Sequence, residues 1–461
     1  VTGVHPISYD RGRLRVGIVH FGVGNFHRSH QAMYVDRLLT LGEAEDWAIC
    51  GIGVLPSDAA MRDALRSQDL EYTLVERASD GTAEARRIGS MADYLFAPDG
   101  TEPVIQLLAD PGVRIVSLTI TEGGYGLAET ADASSVFGLV VAGLALRRER
   151  GIPPFTIMSC DNLPENGAVA RARFVAYARR SDPELAEWML REVPFPSSMV
   201  DRITPVTTDA DRVFVEETFG VLDAWPVVCE PFVQWVLEDR FSLGRPALDR
   251  VGVQFVEDVA PYEKMKLRLL NASHQALAYF GGLLGYRQVH DAVADPLIQL
   301  LLTRYMREEA EPTLDAVPGI DLAQYQRTLI ERFTNPYIGD TVVRLATDGS
   351  DRLEKFLVPV IHDQLASGGS VRMSAGVVAA WAAYWHGILE GELEPVPSDR
   401  GRESIASALE RQKTEPLGFL RELEFLRDLA GHEPFARQFA STFARIDSAG
   451  PRAALSDLVT E

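Results

Sequence analysis

Cysteine is scarce in this chain of 461 residues: Cys50, Cys160 and Cys229 are the only three, and no two stand close together. That excludes a disulfide framework and a cysteine-based zinc cluster, and it suits a reducing compartment, so a cytoplasmic protein is expected. No apolar run approaches the roughly 18 residues of a membrane span. The opening VTGVHPISYD has no basic flank followed by an apolar core. Basic residues are in deficit, 45 Lys and Arg against 66 Asp and Glu, and the resulting net charge of −21 repels phosphate backbones and anionic lipid surfaces. Neither nucleic acid nor a membrane is expected as a partner. His20, His27 and His30 lie close in sequence, but neither their spacing nor any nearby cysteine or carboxylate matches a common zinc site, so no metal is expected.

What is present is the composition of an ordinary globular protein, 46% hydrophobic and 24% charged, with no repeat. The length exceeds what one core normally supports, so two domains are expected. Leu14–Gly24 (LRVGIVHFGVG) reads as a strand ending in two glycines, His27–Leu41 as a helix and Trp47–Val54 (WAICGIGV) as a second strand. Arg114–Thr121 and Phe155–Cys160 are further strand candidates, with helical patterns at Ser135–Arg150 and Glu165–Arg180. This alternation predicts an α/β, Rossmann-type domain with a mostly parallel sheet over residues 1–258. Long helical patterns follow at Lys264–Leu284, Pro296–Glu309, Leu322–Arg332, Gly376–Leu389 and Phe419–Leu429. They predict a mainly α-helical domain over residues 259–461.

Three segments could carry chemistry. Gly22-Val23-Gly24 follows the first strand, where glycines let a pyrophosphate approach the backbone at a helix N-terminus. The third glycine of the usual GxGxxG is replaced by His27, and a plain tight turn explains a glycine pair about as well. Arg28 could add positive charge near the phosphates, and Asp58 follows the second strand where an acid accepts from ribose hydroxyls and repels a 2′-phosphate. NAD is therefore expected over NADP; the bland reading of Asp58 is a turn residue after Pro56-Ser57.

The second segment, SCDNLPENG, places Asn162 at the carboxyl end of a strand, where its amide could stabilise an oxygen gaining negative charge. The third is Tyr262–Tyr286, YEKMKLRLLNASHQALAYFGGLLGY. On a continuous α-helix His274 lies about 80° and Asn271 about 140° round from Lys266, so the three can share a wall. A desolvated lysine beside an oxidised nicotinamide is a plausible general base, taking a hydroxyl proton as hydride leaves the neighbouring carbon. Asn271 and Asn162 would hold the alkoxide and His274 would orient the hydroxyl. Glu263, one turn before Lys266, would relay the proton to solvent, or else pair with the lysine at the surface. Tyr262 and Lys266 also fit a Tyr-x-x-x-Lys spacing, but so far along the chain, ahead of a helical domain, the pattern does not suit a short-chain dehydrogenase.

At these residues the chain resembles the polyol-specific long-chain dehydrogenases. The likeness rests on GVGNFHRSHQAMYVDRLL, SLTITEGGYG, FTIMSCDNLPENG, SMVDRITP, DAWPVVCEPFVQWVLEDRF and the Tyr262–Tyr286 segment, with VPGIDLAQY and DGSDRLEKFLVP further on. The resemblance implies NAD-dependent, metal-free oxidation of a secondary alcohol in an open-chain polyol. Mannitol to fructose is the leading reaction, with arabinitol or sorbitol as other substrates. It implies that Lys266 is the base, Asn162 and Asn271 the paired amides, and His274, Asp201, Arg344 and Lys355 substrate contacts. Gly22, Gly24, Asn25, Phe26 and Arg28 then belong to the cofactor turn; Asn25 stands where the family often has glycine, as does Ala272. A hexuronate reductase such as a fructuronate reductase shares the scaffold and remains an alternative, and a non-catalytic sugar or nucleotide sensor is a third reading. A monomer is feasible.

Overall fold

The computed structural model describes residues 3–128 and 130–460. The backbone divides into two compact units, Val1–Ala260 and Pro261–Glu461. The strands of the first are, in chain order, β1 (Val16–Phe21), β2 (Ala48–Gly53), β3 (Tyr72–Arg77), β4 (Ala83–Ile88), β5 (Met91–Phe96), β6 (Ile115–Leu118), β7 (Thr156–Ser159), β8 (Ser198–Asp201), β9 (Val227–Cys229), β10 (Gln234–Glu238) and β11 (Gln254–Val256). Five form one parallel sheet in the order β5-β2-β1-β6-β7. The chain builds outward from β1 through β2 to β5, then returns to the other side of β1. This reversal leaves a crevice beyond the carboxyl ends of β1 and β6, the ligand position of such sheets.

Strand residues alternate between two cores, one on each face. Val19, Cys50, Val116 and Ile157 pack with the helices Val136–Glu149 and Asn166–Arg179. Ile18, Ile49, Ile115 and Met158 pack with the helix Gln31–Thr40. Each fully buried aliphatic side chain contributes about 1.5–3 kcal/mol, and burial on both faces explains why these strands read as continuous apolar runs.

Two smaller sheets, β11-β10-β8 and β4-β3-β9, were not legible in the sequence. Each contains an antiparallel pair, β10 with β8 and β3 with β4. The polar β4, AEARRI, offers no apolar alternation to read. The expected helix His27–Leu41 is also divided, into Asn25–Ser29 and Gln31–Thr40, because His30 leaves helical geometry at φ −116°, ψ −95°.

The second unit is helical. The continuous helix expected over Lys264–Leu284 is three segments: an α-helix Ala260–Lys266, a π-helical turn Leu267–Asn271 and an α-helix Ala272–Leu283. Hydrophobic periodicity does not resolve a single wide turn. Two more wide turns, Tyr305–Ala310 and Leu353–Leu357, belong to this unit. The expected helix Phe419–Leu429 is instead a short helix Gly418–Glu422 followed by 3₁₀ turns.

Candidate active site

Gly22 has φ +94°, and a Cβ there would stand 2.1 Å from the Thr119 carbonyl oxygen, so only glycine fits. Gly24 differs. Its φ of −105° suits any residue, and a Cβ would meet nothing nearer than the Gly22 carbonyl at 3.9 Å. A glycine with open space before it, at the N-terminus of Asn25–Ser29 and the carboxyl end of β1, fits the close approach of a dinucleotide phosphate. Asp58 Oδ2 accepts from the Val54 and Leu55 amides, both at 2.9 Å, which fixes the half-buried carboxylate just past β2.

Arg28 does not occupy the place expected of it. Its guanidinium is buried and donates to the Trp225 carbonyl at 2.5 Å and to Asn25 Oδ1 at 2.7 Å, and the Tyr72 hydroxyl donates to its backbone carbonyl. Burial pulls its pKa down to about 10. It braces the turn from behind, and a sequence shows a positive charge without showing which way it faces. Asn25 Nδ2 donates to the Pro205 carbonyl and Thr207 Oγ1, both at 2.8 Å, so its side chain anchors the turn and only its backbone is left for a ligand. Phe26 stacks on His30 with ring centroids 4.9 Å apart. His20 is sandwiched between Ser117 and Thr119 and stacks 3.5 Å from His27; burial pushes His20 down to about 3 and holds His27 well below its usual value.

Asn162 lies in the loop after β7, at the same edge of the sheet as the glycine turn. Its neighbour Asp161 fixes that loop: the carboxylate accepts from the Thr121 amide at 2.8 Å, the Ile120 amide at 3.2 Å and the Tyr125 hydroxyl at 2.8 Å. Asp201 ends β8, opposite Gln234 of β10, and is buried.

In the helical unit, Glu263, Lys266 and His274 are buried and Asn271 is half-buried. Burial removes the surface-carboxylate reading of Glu263. The Tyr262 hydroxyl donates to the Pro318 carbonyl at 2.8 Å. Asn271 Oδ1 and His274 Nε2 are buried with no protein hydrogen-bond partner. Such atoms cost about 1–3 kcal/mol each unless a ligand satisfies them. His274 packs on Phe333 at 4.9 Å, and its pKa is driven well below the usual value, first by burial and then by the positive charges of Arg344, Arg352, Arg332 and Lys266. A neutral imidazole can both accept from and donate to a hydroxyl.

Arg344 forks onto the buried carboxylate of Asp340 and stays near His274. Lys355 Nζ pairs with Asp351 Oδ2 at 2.6 Å, and the leading positive charges acting on His274 are those of Arg344, Arg352, Arg332 and Lys266. Arg332 and Arg352 are among those charges, and the sequence reading passed over both. Arg352 stands three residues before Lys355 in the same DGSDRLEKFLVP block, and this was the only available hint. Among the described residues no group of three His, Cys, Asp or Glu side chains could hold a metal, and no helix is long and apolar enough to cross a membrane.

Sheet order and crevice make the first unit a Rossmann domain, and a helical unit follows it; by class this is a two-unit protein built on a dinucleotide-binding fold. A mannitol dehydrogenase Rossmann domain matches residues 16–250, and a mannitol dehydrogenase C-terminal domain matches residues 258–447. The chain belongs to the mannitol dehydrogenase family. It is 43% identical to mannitol 2-dehydrogenase of Aspergillus fumigatus, over 94% of this chain and 91% of that one. It is 40% identical to a mannitol dehydrogenase of Saccharomyces cerevisiae, over 98% and 94%. The solved ternary complex of Pseudomonas fluorescens mannitol 2-dehydrogenase with NAD and D-mannitol matches with a TM-score of 0.91 and 42% identity, over 100% and 98%. A substrate-free D-sorbitol dehydrogenase matches at 0.86 and 36%, over 99% and 98%. The protein is thus a polyol dehydrogenase similar to mannitol 2-dehydrogenases, and family membership removes the non-catalytic sensor.

Proposed function

We propose that the chain oxidises one secondary alcohol of an open-chain polyol to a ketone, D-mannitol to D-fructose first, with D-arabinitol and D-sorbitol as further substrates. The observation that carries this reading is the pair of buried, unpartnered polar atoms, Asn271 Oδ1 and His274 Nε2, on the helical stretch that begins at Lys266. NAD, when bound, accepts the hydride. The Gly22–Gly24 turn would hold its phosphates and Asp58 its ribose; the solved complex of the P. fluorescens relative with NAD supports NAD as the cofactor. Lys266 takes the hydroxyl proton, the Nδ2 groups of Asn271 and Asn162 donate to the alkoxide while Asn271 Oδ1 accepts from a neighbouring substrate hydroxyl, and neutral His274 orients the reacting hydroxyl. Glu263 passes the proton on, and Asp201 and Arg344 contact the remaining hydroxyls.

One observation favours a second reading. Arg332, Arg344, Arg352 and Lys266 all act on His274, and such a positive field would also suit the carboxylate of a hexuronate. The deciding assay follows NADH formation by EDTA-treated protein with mannitol, sorbitol, arabinitol and ribitol, and NADH consumption with fructose and fructuronate. Turnover of neutral polyols supports the first reading, and activity on fructuronate alone replaces it with the second. Lys266→Ala is expected to lower turnover at least about 100-fold with NAD binding retained; unchanged turnover removes Lys266 from the mechanism.

A further inference from the structure

The three wide turns of the helical unit end in the same way but are not held in the same way. In each, the amide after the turn bonds five residues back: Ala272 to Leu267, Glu311 to Met306 and Val358 to Leu353. After two of them the next residue is proline, Pro312 and Pro359. Proline has no amide to donate and its ring clashes with the carbonyl four residues back, so a wide turn before it relieves the strain. After Leu267–Asn271 the next donor is Ser273, and nothing in the covalent chain asks for a wide turn.

Where an i+5 register returns to i+4, one carbonyl is passed over. With Ala272 bonded to Leu267 and the α-helix resuming at once, an i+4 register would take the Ser273 amide to Leu269, so the carbonyl passed over is that of Arg268. The hydroxyl of Tyr305 donates to that carbonyl at 3.0 Å. Tyr305 is fully buried, and burial holds its pKa well above the usual value, so it remains a donor.

The register matters to the site. An i+5 turn holds roughly one residue more than the 3.6 of an α-turn, so Asn271 comes within about 30–50° of Lys266 instead of about 140°. His274, three α-residues on, then falls about 10–30° to the other side of Lys266. The arc spanned by the three narrows from about 140° to about 60°.

We propose that Tyr305 is a positioning residue: its hydroxyl, by capping the Arg268 carbonyl, holds the wide turn that brings Lys266, Asn271 and His274 onto one face. This rests on the reading of Lys266 as the base. Tyr305→Phe removes one oxygen. Its expected effect is faster hydrogen exchange of the amides in residues 267–273, and a fall in kcat of about tenfold or more with little change in NAD affinity. Ser273→Pro transplants the device of the other two turns. Adding it to Tyr305→Phe is expected to restore kcat to within about threefold of the native enzyme, and in the Ser273→Pro background loss of the hydroxyl should cost less than about twofold. Unchanged exchange in Tyr305→Phe overturns the clamp; raised exchange with unchanged kcat overturns the positioning role. An equal loss of kcat with and without Ser273→Pro does so too. Exchange needs no substrate, so a native protein inert to every polyol would sink the proposed function while the clamp is still decided.

Discussion

Gly22 and Gly24, separated only by Val23, should answer alanine in opposite ways. In Gly22→Ala the new methyl would sit at φ +94°, which costs about 1–2 kcal/mol for an L-residue, and 2.1 Å from the Thr119 carbonyl oxygen, a backbone atom that cannot swing aside. Adding a comparable cost for the forced shift gives a loss of about 2–4 kcal/mol, or about 4–16 °C in the melting of the Rossmann unit at about 2–4 °C per kcal/mol. In Gly24→Ala the methyl meets only open space at an ordinary φ. The entropy removed from the unfolded chain and the weaker helix cap nearly cancel, so cofactor-free stability should stay within about 0.5 kcal/mol. If the open face is the phosphate cradle, the same methyl should weaken NAD binding at least about tenfold. Calorimetry of both variants and a fluorescence titration with NAD are sufficient. Undiminished NAD affinity in Gly24→Ala would refute the cradle, and an unchanged melting temperature in Gly22→Ala would refute the steric argument.

Further outcomes follow from the buried titrating groups. His20 and His27 in the first unit and His274 in the second stay neutral when folded, whereas in the unfolded chain they take up protons below about pH 6.5. Each therefore removes up to about 1.4 kcal/mol of stability per pH unit as pH falls below that value. In the second unit Glu309, pushed up to about 6 by burial, works the other way, because the fold binds its proton before the unfolded chain does. Melting of the first unit should fall more steeply than that of the second between about pH 6.5 and 5, and equal slopes would contradict this. Glu309 also accepts from the Met373 amide at 2.6 Å, the Ser374 amide at 2.9 Å and Ser370 Oγ at 3.1 Å, at the start of the helix Arg372–Leu389. Glu309→Ala should cost about 3–5 kcal/mol, measurable by denaturant unfolding. Glu263→Gln should alter the pH profile of alcohol oxidation, and an unaltered profile and rate would remove Glu263 from the proton path.

The sheet was legible where strands are buried on both faces, because β1, β2, β6 and β7 read as apolar runs ended by glycine or a polar turn. It was illegible at β4, which carries charge along its length in mixed surroundings, and at β3, where a short buried run over 72–75 ends in Glu76 and Arg77. For the candidate site, Lys266, Asn271 and His274 were recognisable as a set of functional groups, but their angular relation was misread because a five-residue wide turn leaves the helical periodicity intact. Arg28 shows the other limit, since residue type does not reveal that a guanidinium is turned inward against Trp225 and Asn25. Arg332 and Arg352 became visible only through the field they impose on His274.

The wide turn at Leu267–Asn271 also bears on the order in which the protein becomes competent. Two of the three wide turns are encoded by prolines and are favoured as soon as their helices exist. An isolated helix covering Ala260–Leu283 has no such encoding and defaults to the ordinary α register, with its lysine, amide and imidazole splayed apart. Only when the Tyr305 helix has docked does the orphan carbonyl find its donor. On the proposal that Lys266 is the base and Tyr305 its clamp, chemistry there would be switched on by tertiary assembly, and a nascent or partly unfolded chain would carry the proposed catalytic groups without a working arrangement of them.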